Sequence, residues 1–306
     1  MNKKYDPLLH EDDYDSLMDM QSEVMEWWYE MYDELEPVFL WENGCPDFRE
    51  EYGQRQPSLA FLPYHGETPP KGVVLVSAGG GFTYKSHHEG NCVAARFAQD
   101  GYLGAVLDYR VRPYTQYDIL NDVRRAVRLL KSLAPSYGYP KDNIALLGFS
   151  AGGQVSLLGG THFDDGNLNS PDPVERFSSR PGAVVSCYSS ISWTLFAPDK
   201  NMDELGSISS FEDRLFFSSE HNLSADTPPI FIWTSRQDLV LDPRFSLNLA
   251  IRLYEHNLPF ELHVYDEGAH GIGLADDTNI LKEYSSHHLN TWVSLCSEWL
   301  DEKFSR

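Results

Sequence analysis

The sequence predicts an α/β sandwich, a mostly parallel sheet between layers of helix. Three observations carry this. Short, β-branched-rich apolar runs of strand length recur from residue 59 onward, helical patterns with apolar residues at i, i+3 and i+4 alternate with them, and 306 residues, 42% apolar and 13% aromatic, can build a sizeable core.

The opening stretch, residues 1–56, differs: it is acidic, rich in Met, Trp and Tyr, and shows no strand-like run. It reads as a helical extension to a domain over 57–306. Leu17, Met20, Val24, Trp27 or Trp28, and Met31 recur at helical spacing, with Asp15 or Ser16 as N-cap and Pro37 past the end. Such a stripe packs onto its own domain or onto a second copy, which predicts a homodimer through this helix; the alternative is a sugar-stacking platform of Trp27 and Trp28. Strands follow at "GVVLVSA" (72–78), "LGAVLDY" (103–109), "NIALLGF" (143–149), "GAVVSCY" (182–188), "PIFIWTS" (229–235) and "FELHVYD" (260–266). Helices are predicted over 89–100, 117–138, 244–256 and about 280–302, the second ending at a Gly. Residues 162–181 and 189–228 read as long loops or a small lid, expected to wall the alcohol side of a substrate pocket.

The net charge of −22 repels phosphate backbones and anionic headgroups, so neither nucleic acid nor a membrane is an expected partner, and neutral substrates are favoured. No apolar run approaches the roughly 20 residues of a membrane span, and "MNKKYDPLLHEDDYDS" turns acidic where a signal peptide is apolar, which predicts a cytoplasmic protein. Cys45, Cys92, Cys187 and Cys296 are scattered without C-x-x-C spacing, as expected of reduced, mostly buried thiols.

In "ALLGFSAGG" (145–153), Ser150 follows a predicted strand and precedes a helical pattern, the setting of a G-x-S-x-G elbow. Gly148 and Gly152 are needed because side chains there would collide with neighbouring backbone, and the amide of Ala151 can face an oxyanion. The plainer reading of Ser150 is a helix N-cap. A serine nucleophile needs a base and a carboxylate, here in the chain order Ser, Asp, His. Asp238 in "RQDLVLDP" lies at the carboxyl end of a predicted strand; its rival Asp242 precedes Pro243 and suits a helix N-cap. His270 in "DEGAHGIG" follows the next strand among small residues, whereas His263 lies within a strand and His287 and His288 lie on the final helix. "SAGGGF" (77–82) offers the amides of Gly80 and Gly81 as further oxyanion donors, and no G-K-[ST] follows that would suit a phosphate loop. His87, His88 and Glu89 in "SHHEG" are ligand-type residues, but adjacent histidines at a loop-to-helix junction ordinarily meet substrate or solvent, and no metal or cofactor is expected.

Together "VLVSAGGGFTYKSHHEG", "LDYRV", "NDVRRAVRLL", "NIALLGFSAGG", "DTPPIFIWTSRQD" and "ELHVYDEGAHGIGL" resemble the α/β-hydrolase esterases related to acetyl xylan esterases and other small carboxylesterases, in that family's order over roughly residues 57–302. The resemblance implies the α/β-hydrolase fold, triad roles for Ser150, Asp238 and His270, and oxyanion roles for Gly80, Gly81 and Ala151. It implies short acyl esters as substrates, particularly acetyl groups on plant-polysaccharide oligosaccharides. Three positions depart: Ala78 stands where many relatives have His or Pro, Phe149 where Asp is common, and "WTSRQD" where an acidic "TADD" is usual. Arylformamidases and prolyl peptidases share this triad, though a propeller domain does not fit the length; a degenerate, non-catalytic scaffold would lack one of the three groups.

Overall fold

The computed structural model describes residues 28–195, 208, 210–276 and 286–305. Its frame is one eight-stranded sheet. In chain order the strands are β1 (Val38–Phe39), β2 (Ser58–Phe61), β3 (Val73–Ser77), β4 (Leu103–Asp108), β5 (Ile144–Phe149), β6 (Ala183–Cys187), β7 (Ile230–Ser235) and β8 (Phe260–Tyr265). They lie in the order β1-β2-β4-β3-β5-β6-β7-β8. The strands from β4 to β8 in that order pair in parallel, and only β1 and β2 run antiparallel to their neighbours. The described helices that cover the sheet include α1 (Asn91–Gln99), α2 (Gln116–Tyr137), α3 (Ser150–Thr161), α4 (Phe211–Phe217), α5 (Arg244–Glu255) and α6 (His287–Phe304).

Alternation along each strand divides the core into layers. Val74 and Val76 of β3 join Val93 and Phe97 of α1 and Trp292 of α6, while Val73 and Leu75 join Val123 and Val127 of α2. Helix α2 begins with a capping box between Thr115 and Asp118 and ends on Gly138 at φ 81°, a left-handed position that suits glycine. The chain runs outward from β3 to β4, then crosses back to β5 on β3's other side. The carboxyl ends of β3 and β5 therefore flank a switch point, where doubly wound sheets place their ligand crevice.

The predicted strands and helices are present with ends displaced by a residue or two, except that the final helix, expected from about 280, starts at His287 on a Ser286 N-cap. Two strands were not foreseen. Residues 28–56, expected to lack strands, contribute β1, and β2 follows directly. Trp28 and Tyr32 are 2% and 1% exposed and lie in the main core, their rings stacked at 5.6 Å. Trp28 is thus packing, not a sugar platform. Leu17, Met20, Val24 and Trp27, on which the expected dimer helix rests, lie outside the described residues.

The loop 162–181 packs on α2. It leaves the far end of α3, 12 residues and about 18 Å from Ser150, and is clamped to α2 by Arg125 to Glu175 (2.7 Å) and Arg128 to the Phe177 carbonyl (3.0 Å). Part of 189–228 lies outside the described residues. None of the four cysteines forms a disulfide, and burial pushes the Cys45 thiol up to about 12. No helix among the described residues is long and apolar enough to cross a membrane.

Candidate active site

Strand β5 ends at Phe149 and α3 starts at the next residue, so the chain must reverse within one position. Ser150 sits there at φ 52°, a left-handed conformation that costs a non-glycine residue about 1–3 kcal/mol. The neighbours explain the glycines. A Cβ on Gly148 would lie 2.0 Å from the Gly152 carbonyl oxygen, one on Gly152 2.1 Å from that of Ser77, and one on Gly153 1.9 Å from Ser189 Oγ. Ser150 is not a cap: Phe149 holds the N-cap position of α3 and no side chain caps it.

The hydroxyl of Ser150 instead faces His270, whose Nε2 is 2.9 Å from Oγ. His270 Nδ1 is 2.7 Å from Asp238 Oδ2. Since the carboxylate accepts, Nδ1 carries the proton and Nε2 offers its lone pair to the serine hydroxyl. Asp238 is itself fixed, because Oδ1 accepts the amides of Val240 and Leu241, both at 2.9 Å. Ser150, Asp238 and His270 thus come together from the ends of β5, β7 and β8. Asp242 does not join them; its carboxylate accepts the amide and guanidinium of Arg244 at the start of α5. His263 pairs with Glu261 at 2.7 Å on β8, and His288 packs its ring on Tyr265.

The glycine loop after β3 lies beside this group: a Cβ on Gly79 would come within 2.9 Å of Ser150 Cβ. Gly80 and Gly81 take φ 133° and 60°, and a side chain on Gly80 would strike the Tyr84 carbonyl. Gly79 donates its amide to Glu89 Oε2 at 2.8 Å. Among the described residues the amides of Gly80, Gly81 and Ala151 meet no acceptor. Three unmatched donors therefore border the serine.

The "SHHEG" residues have other work. His88 Nε2 lies 2.8 Å from the Gly271 carbonyl, so it donates there, and Glu89 accepts from Gly79 and from the Tyr188 hydroxyl. Among the described residues no group of three or more His, Cys, Asp or Glu could hold a metal ion. Burial, and then neighbouring His88, lower the pKa of His87. Phe149, where a carboxylate was the familiar choice, is fully buried against the rings of Tyr188 (5.6 Å) and Trp292 (5.8 Å). The structural places of Glu89 and Tyr188 were not read from sequence: one drew notice only as a ligand-type residue, and the other simply follows a strand.

The BD-FAE family model matches residues 60–253, a span that includes Ser150 and Asp238 and stops before His270. An acetyl ester-xyloside bifunctional hydrolase from Caldicellulosiruptor lactoaceticus is 34% identical, with a TM-score of 0.77 over 87% of this chain and 95% of that one. A sugar hydrolase from Lactococcus lactis is 25% identical with a TM-score of 0.69, over 82% of this chain and 96% of its own. Endo-1,4-beta-xylanase B of Butyrivibrio fibrisolvens is 30% identical over 243 residues, 78% of this chain but 38% of the xylanase, so the chain spans well under half of that relative.

Proposed function

The chain belongs to the BD-FAE family and has the α/β-hydrolase fold, and from that premise we propose that it is a serine carboxylesterase acting on short acyl esters, acetyl groups on xylo-oligosaccharides foremost. One observation carries the reading: Ser150 Oγ, His270 and Asp238 form an unbroken hydrogen-bonded line, 2.9 and 2.7 Å, beside unmatched backbone donors.

In this mechanism His270 Nε2 takes the Ser150 proton as Oγ bonds to the ester carbonyl carbon. The carbonyl electron pair moves to oxygen, where the amides of Gly80, Gly81 and Ala151 hold it, each worth about 3 kcal/mol in comparable sites. Asp238 keeps the imidazole in register and stabilises its charged form. His270 then gives the proton to the departing alkoxide, leaving an acyl-serine. Water, deprotonated by His270, attacks that ester; Ser150 regains its proton and the acid is freed.

The acyl and sugar preference is supported by the neighbour named for acetyl ester-xyloside hydrolysis and by the xylanase, and the −22 charge suits an uncharged carbohydrate ester. Four cysteines without a disulfide fit a reducing compartment, so we place the protein in the cytoplasm; recovery with the secreted fraction would overturn that. The functional test compares the protein and Ser150→Ala on p-nitrophenyl acetate, acetylated xylo-oligosaccharide and N-formylkynurenine. Turnover of the two acetyl esters, lost in the variant, is expected. Turnover of the formamide alone would make it an amide hydrolase, and full activity in Ser150→Ala would end the mechanism.

A further inference from the structure

The two loops that carry the chemistry, one after β3 with the oxyanion amides and one after β8 with His270, are joined through a buried carboxylate. Glu89 is 2% exposed. Its Oε2 accepts the amide of Gly79, the residue before the oxyanion pair, at 2.8 Å, and its Oε1 accepts the hydroxyl of Tyr188 at 2.7 Å. The Tyr188 oxygen in turn accepts the amide of Gly273, three residues beyond His270, at 2.9 Å. A second tie runs alongside, from His88 Nε2 to the Gly271 carbonyl.

The arrangement is costly in two ways that packing alone does not require. A carboxylate is buried with two hydrogen bonds and, among the described residues, no ion pair, so it is taken out of water with little in return. Tyr188 is held at φ 36°, in the left-handed region, where a bulky residue is strained. In that conformation its ring meets the His270 ring edge-on at 5.0 Å. Burial, then the adjacent Glu89 charge, raise the Tyr188 phenol well above its usual range, which keeps it a donor to Glu89.

We propose that Glu89, acting through Tyr188, is a positioning residue that fixes the distance between the Gly80–Gly81 amides and His270, so that oxyanion and imidazole are addressed together. The inference rests on the ester-hydrolase reading above. A misplacement of about 1 Å at a reacting centre costs on the order of 100-fold in rate. Glu89→Ala and Tyr188→Phe are accordingly expected to lower kcat on p-nitrophenyl acetate by about 10- to 100-fold with KM changed less than about threefold. Glu89→Gln, which still accepts from Gly79, is expected to recover most of the loss. The double variant Glu89→Ala/Tyr188→Phe is expected to be no slower than the slower single, because one line of bonds is cut either way.

Tyr188→Phe keeps the ring and removes only the hydroxyl, so it carries the test if Glu89→Ala does not fold. Wild-type kcat in Tyr188→Phe, a loss confined to KM, or multiplicative losses in the double variant would overturn the inference. The rate at which a fluorophosphonate modifies Ser150 separates this from the functional reading. A wild type that is modified and hydrolyses esters beside unimpaired variants overturns the positioning role alone. A wild type that neither reacts nor hydrolyses overturns both.

Discussion

Gly152 is pressed so closely onto Ser77 that a Cβ on the glycine would lie 2.1 Å from the serine's carbonyl oxygen. This approach joins the first turn of α3 to the end of β3, and so holds Ser150 against the glycine loop. The obstruction is backbone, which cannot swing aside as a side chain would.

Gly152→Ala is therefore expected to cost about 3 kcal/mol or more, read as a lowered urea midpoint and a fall in folded yield. Gly81→Ala is the contrast. A Cβ there meets nothing within 4 Å, and only its φ of 60° resists, so about 1–2 kcal/mol of stability should be lost while ester turnover drops through the displaced amide.

Asp238→Asn keeps the shape of the group but lets its amide donate toward His270, favouring the wrong tautomer. A fall of about 10⁴-fold in kcat is expected, with little change in thermal midpoint. Asp242→Asn, whose side chain bonds Arg244 at the start of α5, should retain activity and lose at most about 1 kcal/mol. Equal losses in both would refute the assignment of Asp238.

His162 gives the fold a pH dependence whose sign follows from its surroundings. It is buried with its ring 4.4 Å from that of Phe216, and burial, then Arg124, push its pKa down to about 4. An unfolded histidine binds its proton near pH 6.5, so between about 6.5 and 4 the unfolded chain holds more protons and stability falls as pH falls. The contribution is of the order of 3 kcal/mol once pH is below both values. His162→Gln should show a shallower decline in urea midpoint from pH 7 to pH 4.5; an unchanged slope would contradict the shift.

Lys85 and Asp108, 1% and 2% exposed, form an ion pair beneath Trp28 and Tyr109, whose ring centroids are 6.0 and 5.5 Å from the ammonium. Burial holds Asp108 above the usual carboxylate range in spite of Lys85. Lys85→Met leaves that carboxylate buried and unpaired, an expected loss of about 3–5 kcal/mol. Adding Asp108→Asn should return more than half of it, as measured by denaturant unfolding.

What the sequence disclosed is what short-range chemistry dictates. Ser150, Asp238 and His270 each follow a strand whose apolar run is plain, and the glycines around Ser150 and at 79 and 80 mark turns that tolerate no side chain. β1 and β2 escaped notice because Val38–Phe39 is two residues and Ser58–Phe61 four, too short for a period to emerge. The brace between Glu89 and Tyr188 spans 99 positions and depends on a left-handed tyrosine, and neither leaves a local trace. Trp28 was assigned its helical setting but not its fate, since an exposed stripe and a buried one share the same spacing.

The order in which the parts are made has a consequence for the cell. Ser150 is synthesised well before Asp238 and His270, and the floor beneath it is laid last, when α6 brings Trp292 against Phe149. A growing chain on the ribosome that already displays the serine has neither a base to activate it nor the helix that backs its elbow. The proposed mechanism therefore predicts that a ribosome-bound chain ending before residue 260 does not react with a fluorophosphonate, and that the full chain does.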